Sequence, residues 1–100
     1  ATVAEPEGLT LVLPEEQALR AGMSVVFRAA WITLTVHSDL QAVGLTAAFA
    51  GALGRAGISC NVIAGTYHDH IFVPVDLAQA AMAALVGLQR GAAHPPVQQD

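Results

Sequence analysis

The chain has 100 residues, enough for one domain but too few for two independent ones. It carries a net charge of −4 and no lysine, and its arginines are widely spaced, so it lacks the basic stripe that nucleic acid or an anionic membrane would need. The single cysteine, Cys60, excludes an internal disulfide and favours a reducing, cytoplasmic location.

The chain begins with a predicted hairpin, a short helix and a strand. Residues 1–13 have extended character on either side of the turn residues Glu5-Pro6-Glu7-Gly8. Pro14 suits the first position of a helix over 14–21, because its missing N–H has no intrahelical acceptor there. Met23–Phe27 is then predicted as a strand.

The clearest β pattern in the chain lies in Trp31–His37. Successive side chains of a strand point to opposite faces. Here Ile32, Leu34 and Val36 share one face, and the other carries Trp31, Thr33, Thr35 and His37. We expect a sheet with one buried face and one more polar face, preceded by a bend at Arg28-Ala29-Ala30. Trp31 and Phe49 are expected to be core aromatics.

The remaining elements complete a β-α-β-β-α series. They are a helix over Leu45–Ala56 that ends at Gly57, a strand over Ile58–Tyr67, a tight turn at His68-Asp69, a strand over His70–Val75, a helix capped by Asp76 that runs to about Leu88, and a tail over 92–100. This is most of a ferredoxin-like unit, without its last strand. We expect Leu9–Leu13 or Met23–Phe27 to fill that place. The predicted class is α+β, with an antiparallel sheet and helices on one face.

Both long helices are almost free of polar residues. Thr46 and Arg55 interrupt the first, and Asp76 and Gln79 the second. A helix that is apolar all round is normally buried on more than one side, yet one sheet covers only one side. The alanine-rich remainder is therefore expected to contact another subunit, which predicts a homo-oligomer, as a dimer.

The second half of the chain resembles the ACT-domain family. The resemblance is carried by residues 44–62 (GLTAAFAGALGRAGISCNV), by the hairpin of residues 63–74 (IAGTYHDHIFVP) and by the strand Leu34–His37. The chain is most similar to small bacterial uncharacterised ACT proteins, in which an incomplete first ACT-like half precedes a complete one. This resemblance implies a partial ACT-like half over 1–27, an ACT-like domain over 28–91 and a flexible tail over 92–100. The family normally carries a further strand and helix before residue 1, so the chain looks shortened.

The resemblance also implies a function. ACT domains generally bind an amino acid or a similar small molecule at a subunit or half-domain junction, and they regulate a linked or partner protein without catalysis or a cofactor. Free N–H groups at the start of a helix attract a carboxylate, and a glycine lets the ligand approach the backbone closely. The expected ligand-binding residues are Ser38, Asp39, Val43, Gly44, Leu45, Thr46, Asn61 and Ile63.

Two other functions are considered. One is an oligomerisation module without a ligand, favoured by the apolar helices. The other is a metal-dependent enzyme that uses His68 and His70, which are two residues apart and need a third ligand such as His37 or Asp39. The sequence favours the interpretation that His68 and His70 are polar residues of a hairpin turn over the interpretation that they bind a metal. Cys60 with His37 and Asp39 is a further catalytic combination, but no nucleophile motif accompanies it.

Overall fold

The computed structural model describes residues 1–35, 45–91 and 97–99. Two strands and a short helix come first: β1 (Thr2–Glu5), β2 (Gly8–Leu11) and α1 (Glu15–Arg20). A βαββαβ series follows: β3 (Ala29–Thr35), α2 (Leu45–Arg55), β4 (Asn61–Ala64), β5 (His68–Pro74), α3 (Ala78–Gly91) and β6 (Val97–Gln99). A single 3₁₀ turn, Val75–Leu77, joins β5 to α3. Residues 1–27 are called the arm below, and the βαββαβ series is called the body.

The body contains a four-stranded sheet in the order β4-β5-β3-β6. Every neighbouring pair in it is antiparallel. This order and these directions are those of a ferredoxin-like fold, so the predicted α+β class is confirmed. Among the described residues, no helix is long and apolar enough to cross a membrane.

The core lies between one face of this sheet and the two long helices. On β3 and β5 every second side chain is directed into it, since strand side chains alternate between faces. The segment after α2 contributes Ile58. The buried hydrophobic residues are Ala30, Ile32, Leu34, Phe49, Leu53, Ile58, Ile71, Val73, Ala81 and Leu85. The predicted alternation in β3 is therefore confirmed.

α2 ends at a glycine, as the sequence predicts. Gly57 has φ = +75°, in the left-handed region. Its N–H donates to the carbonyl of Gly54 at 3.0 Å, and the N–H of Ile58 donates to the carbonyl of Leu53 at 2.9 Å. These two bonds define a Schellman motif, whose hydrophobic contact joins the residues at its two ends. Here Leu53 and Ile58 are both buried, so the helix end is part of the core.

The last strand corrects the sequence analysis. β6 pairs antiparallel with Ile32–Leu34 of β3 and occupies the place that was expected for Leu9–Leu13 or Met23–Phe27. The prediction of a flexible tail over 92–100 is thus wrong for Val97–Gln99. A three-residue strand with two glutamines has no hydrophobic alternation. Its pairing follows from the otherwise free hydrogen-bonding edge of β3.

The hairpin between β4 and β5 also differs from its prediction. The strand expected over Ile58–Tyr67 is limited to β4, and the turn expected at His68-Asp69 is wrong because both residues lie in β5. The loop is instead Thr66-Tyr67, closed by the N–H of Gly65, which donates to the carbonyl of His68 at 2.9 Å. A Cβ on Gly65 would lie 2.8 Å from that carbonyl oxygen, so a glycine is required.

Three smaller expectations are also wrong. Met23–Phe27 contains no strand, and Ala29 and Ala30, expected in a bend, belong to β3. Ala29 pairs with Pro74, which extends the ladder to the end of β5. Asp76 lies inside the 3₁₀ turn and does not cap α3. For Ala29 and Ala30 the pairing of β3 with β5, a contact between distant segments, sets the boundary.

The arm has the predicted hairpin and short helix but no core. β1 pairs with β2, with Thr2 opposite Leu11 and Glu5 opposite Gly8. Within residues 1–27 no side chain is buried, and only Leu13 and Ala18 are half-buried. The assignment of 1–27 as a partial ACT-like half remains a prediction.

Candidate functional site

Half of the predicted ligand residues belong to the connection between β3 and α2. Ser38, Asp39, Val43 and Gly44 lie outside the described residues. α2 begins directly after them, at Leu45. The described part of this candidate site is therefore the first turn of α2.

The first turn of α2 has no acidic residue, and Thr46 within it is exposed. α1 differs, because Glu15 and Glu16 occupy its first turn. The first N–H groups of a helix have no intrahelical acceptors, and together they carry about half a positive charge. At α1 two carboxylates offset that charge. In the first turn of α2 no side chain does, so this helix start can accept an anionic group such as a carboxylate.

Asn61 and Ile63 lie elsewhere on the body. Val62 between them packs against the core, so the alternation of strand side chains directs Asn61 and Ile63 to the opposite sheet face. β4 follows the far end of α2, an eleven-residue helix about 16 Å long. Within one chain, the structure does not bring Asn61 or Ile63 together with Thr46.

The sheet face opposite the core forms a cluster of its own. We call it the open face; among the described residues it carries Trp31, Thr33, Asn61, Ile63, His68, His70 and Phe72. Strand register sets two rows across it, one through Trp31, Phe72 and Asn61, the other through Thr33, His70 and Ile63. Its described side chains include histidines but no carboxylate, lysine or arginine.

An aromatic–histidine contact organises the open face. The indole N–H of Trp31 donates to Nδ1 of His70 at 2.9 Å, and the ring of Trp31 stacks on Phe72 with centroids 6.2 Å apart. Because an indole N–H can only donate, Nδ1 accepts and the proton of neutral His70 lies on Nε2. The His70 ring also lies over Gly65, where a Cβ would be 3.4 Å from Nε2.

The expectation that Trp31 is a core aromatic is wrong. Its side chain is 40% exposed, whereas Phe49 is buried as expected. Sequence reasoning missed this cluster as a feature, although the alternation in β3 already places Trp31 on the same face as Thr33. The alternation of side chains in β3 is therefore the sequence signal that could have identified this cluster.

His68 and His70 lie on the same face of β5, with ring centroids 6.4 Å apart. Asp69 between them pairs with Leu34 and is directed to the opposite face. In the part of the chain that the structure describes, no three His, Cys, Asp or Glu residues are grouped to hold a metal. His37 lies outside that part. The metal-enzyme hypothesis therefore gains no support from the described residues.

Cys60 precedes β4 and is half-buried against the core. That setting is typical of a cysteine that packs as a small hydrophobic residue. The catalytic combination considered above also needs His37 and Asp39, which lie outside the described residues.

The chain is similar to one solved structure in particular, the crystal structure of a Vibrio cholerae protein of unknown function described as a possible transport protein. The two are 62% identical in sequence, with a TM-score of 0.77. The match covers 85% of this chain and 65% of the Vibrio chain, so this chain spans about two thirds of its relative's length. No curated protein matches this chain.

A family model described as ACT domain matches residues 26–86, a range that begins at the end of the arm and ends inside α3. The matched range contains β3, α2, β4, β5 and the first part of α3, in the order and directions of a ferredoxin-like fold. Since the match covers more than half of the chain and agrees with the resemblance in its sequence, this chain belongs to the ACT-domain family.

Proposed function

We propose that the chain is a non-enzymatic regulatory module of a bacterial cytoplasm, and that it binds an amino acid or a similar small molecule where two copies meet. ACT domains are regulatory rather than catalytic, and they generally bind small-molecule ligands. The observation that carries the proposal is the start of α2, whose first turn has no acidic residue.

The start of α2 supports a ligand with a carboxylate. The first backbone N–H groups of a helix have no intrahelical acceptors, and with the positive end of the helix they favour an anion there. Thr46 adds an exposed hydroxyl that can donate a hydrogen bond. In this proposal Gly44 lets the carboxylate approach the backbone, and Ser38 or Asp39 binds the ammonium group.

The separation of Thr46 from Asn61 supports a site between two copies. The two residues lie on different surfaces of the body, so one ligand cannot contact both within a single chain. A ligand that contacts all the proposed residues has to lie between the start of α2 in one copy and the open face, with Asn61 and Ile63, in the other.

A pair of substitutions at Thr46 tests the ligand proposal. Thr46→Asp places a carboxylate in the first turn of α2, which stabilises the helix by about 0.3–1 kcal/mol but repels a bound carboxylate. Thr46→Asn introduces a side chain of the same shape as aspartate but without its charge, and it is the control. Isothermal calorimetry with each common amino acid should show that one binds the unmodified protein and Thr46→Asn. Its dissociation constant for Thr46→Asp should be higher by about tenfold or more.

The opposite signs of these two effects separate repulsion from misfolding. Loss of binding in a variant that unfolds at higher temperature is electrostatic in origin. If the unmodified protein binds no amino acid at millimolar concentration, or if Thr46→Asp binds as tightly as Thr46→Asn, the ligand proposal is wrong.

A second candidate is an interaction module without a ligand. It is favoured by the exposed hydrophobic side chains of the arm, among which Val26 is 98% exposed. This candidate predicts an assembly whose dissociation constant no amino acid changes. Sedimentation with and without the amino acids distinguishes it from the first.

A further inference from the structure

A hydrogen bond on the open face depends on the protonation state of a histidine. The indole N–H of Trp31 donates to Nδ1 of His70 at 2.9 Å, and the centroids of the two rings are 5.6 Å apart. An indole N–H can only donate, and an imidazole nitrogen accepts only while it carries no proton. The bond therefore exists only with neutral His70, whose proton lies on Nε2.

Protonation of His70 adds its proton to the nitrogen that accepts this bond. The N–H of Trp31 and the new N–H of His70 would then face each other across 2.9 Å, so the indole has to move away. A second polar atom lies close to the same nitrogen, since Oγ1 of Thr33 is 3.5 Å from Nδ1. A hydroxyl can accept as well as donate, so protonated His70 has another acceptor within reach.

The described groups around His70 include a second histidine but no charge of opposite sign. His68 on the same strand is exposed, with its ring centroid 6.4 Å from that of His70. Ile63 lies opposite His70 on β4, and Tyr67 in the loop before β5 is 79% exposed. Asp69 is directed to the opposite face, so no described carboxylate on the open face can pair with an imidazolium. Protonation therefore converts an uncharged face into a positively charged one.

The position of Trp31 allows it to move when its partner is lost. Its side chain is 40% exposed, so water can replace His70 as the acceptor of the indole N–H. Its other ring contact among the described residues is the stack on Phe72, with centroids 6.2 Å apart. A half-exposed ring that is held by one hydrogen bond and one stack can change its position without opening the core on the other side of the sheet.

We infer that His70 is a pH-sensitive switch of the open face, which on protonation gives up the hydrogen bond from Trp31 and releases the indole. Histidine is the side chain that ordinarily changes its charge between about pH 5 and 8. Asn61 and Ile63, two of the proposed ligand residues, lie on the same face, so a ligand there meets a different surface at low pH. The inference goes beyond the proposed function and does not depend on it, because the switch is measured on the chain without a ligand.

An NMR titration of the full chain tests the switch. Trp31 is the single tryptophan, so its indole N–H gives one signal that follows the bond directly. As the pH falls from about 8 to 5, this signal should move upfield with the same midpoint as the Hε1 signal of His70. His70→Asn should abolish the movement, because an amide oxygen can accept from the indole but does not titrate. His68→Asn, the matched control on the same strand face, should leave the movement in place.

Backbone amide signals of the core residues separate release of Trp31 from unfolding, since they should stay in place over the same pH range. Three outcomes would overturn the inference. They are an indole signal that does not move, a movement that persists in His70→Asn, and a movement that is lost in His68→Asn instead. An indole signal that titrates with His70 in a chain that binds no amino acid supports the switch and contradicts only the ligand proposal.

Discussion

The arm and the body each contain a helix that ends in the same backbone motif. In α1 the N–H of Met23 donates to the carbonyl of Ala18 at 3.0 Å, and Gly22 has φ = +70°. In α2 the N–H of Ile58 donates to the carbonyl of Leu53 at 2.9 Å, and Gly57 has φ = +75°. Each glycine directs the chain out of its helix in the same way.

The two motifs differ in what surrounds them. Leu53 and Ile58 are buried in the core, whereas Met23 is 42% exposed and Ala18 is half-buried. Local hydrogen bonds and glycine conformation thus set where a helix ends in both regions. Stability comes from the burial that only the body has. Matched substitutions in the two regions test this difference.

The largest expected effect is a leucine-to-alanine pair. Leu53→Ala removes a fully buried side chain of α2 and should lower the free energy of unfolding by about 2–5 kcal/mol. Leu19→Ala makes the same change in α1, where the side chain is 61% exposed, and should cost less than about 0.5 kcal/mol. Urea denaturation followed by Trp31 fluorescence measures both. Equal losses would mean that the arm unfolds together with the body.

The two glycines give the next largest effect. Gly57→Ala and Gly22→Ala force alanine into the same left-handed conformation, and at neither position would the new Cβ lie within 4 Å of a residue other than its chain neighbours. Gly57→Ala should cost about 1–2 kcal/mol of unfolding free energy, the strain of that conformation. Gly22→Ala should lower the free energy of unfolding by only about 0.3 kcal/mol, because the strained residue lies in the arm, which can unfold locally without the body. A similar loss from both would show that arm and body are one cooperative unit.

A third test concerns the open face, the part of the body outside its core. Trp31→Phe removes the indole donor, and His70→Ala removes its acceptor. A double-mutant cycle should give a coupling of about 0.5–1.5 kcal/mol, the net value of one hydrogen bond. The internal control is Trp31→Phe in the His70→Ala background, which has no bond left to lose. A coupling near zero would mean that the Trp31–His70 hydrogen bond does not stabilise the body, and that its stability comes from the core alone.

The smallest expected effect is at the ion pair between α1 of the arm and Arg28, the residue directly before β3. Nε of Arg28 lies 2.9 Å from Oε1 of Glu15, and both side chains are about half exposed. Glu15→Gln should lower stability by at most about 1 kcal/mol, and less at high salt because exposed charges are screened. Glu16→Gln is the control, since its carboxylate is 3.9 Å from Arg20 and largely solvated. A larger loss from Glu15→Gln that salt does not reduce would mean that the arm is docked on the body.

Much of the fold followed from local patterns in the sequence. The period-2 alternation in β3, the glycine that ends α2 and the hairpin and helix of the arm were all predicted and are present. The family was also identified, because its motifs lie in residues 44–74, inside the range that the family model matches. Each of these features depends on residues that are close together in the chain.

The candidate site was less predictable. The sequence placed Thr46, Asn61 and Ile63 in one site, but register and strand parity direct the last two to the open face. Trp31 was expected in the core, yet it lies on that same face and donates to His70, 39 residues further along the chain. A pairing over such a distance has no local signature in one sequence.

The sequence by itself indicated the three helices, the hairpin of the arm and the alternation of β3, and it identified the chain as an ACT domain. Only the tertiary structure decided that Val97–Gln99 completes the sheet, that the β4–β5 loop is Thr66-Tyr67, and that the arm has no core of its own. The physical reason is that helix ends and side-chain alternation depend on neighbouring residues. Strand partners and burial depend on which distant surfaces meet, and several alternatives satisfy the same local pattern.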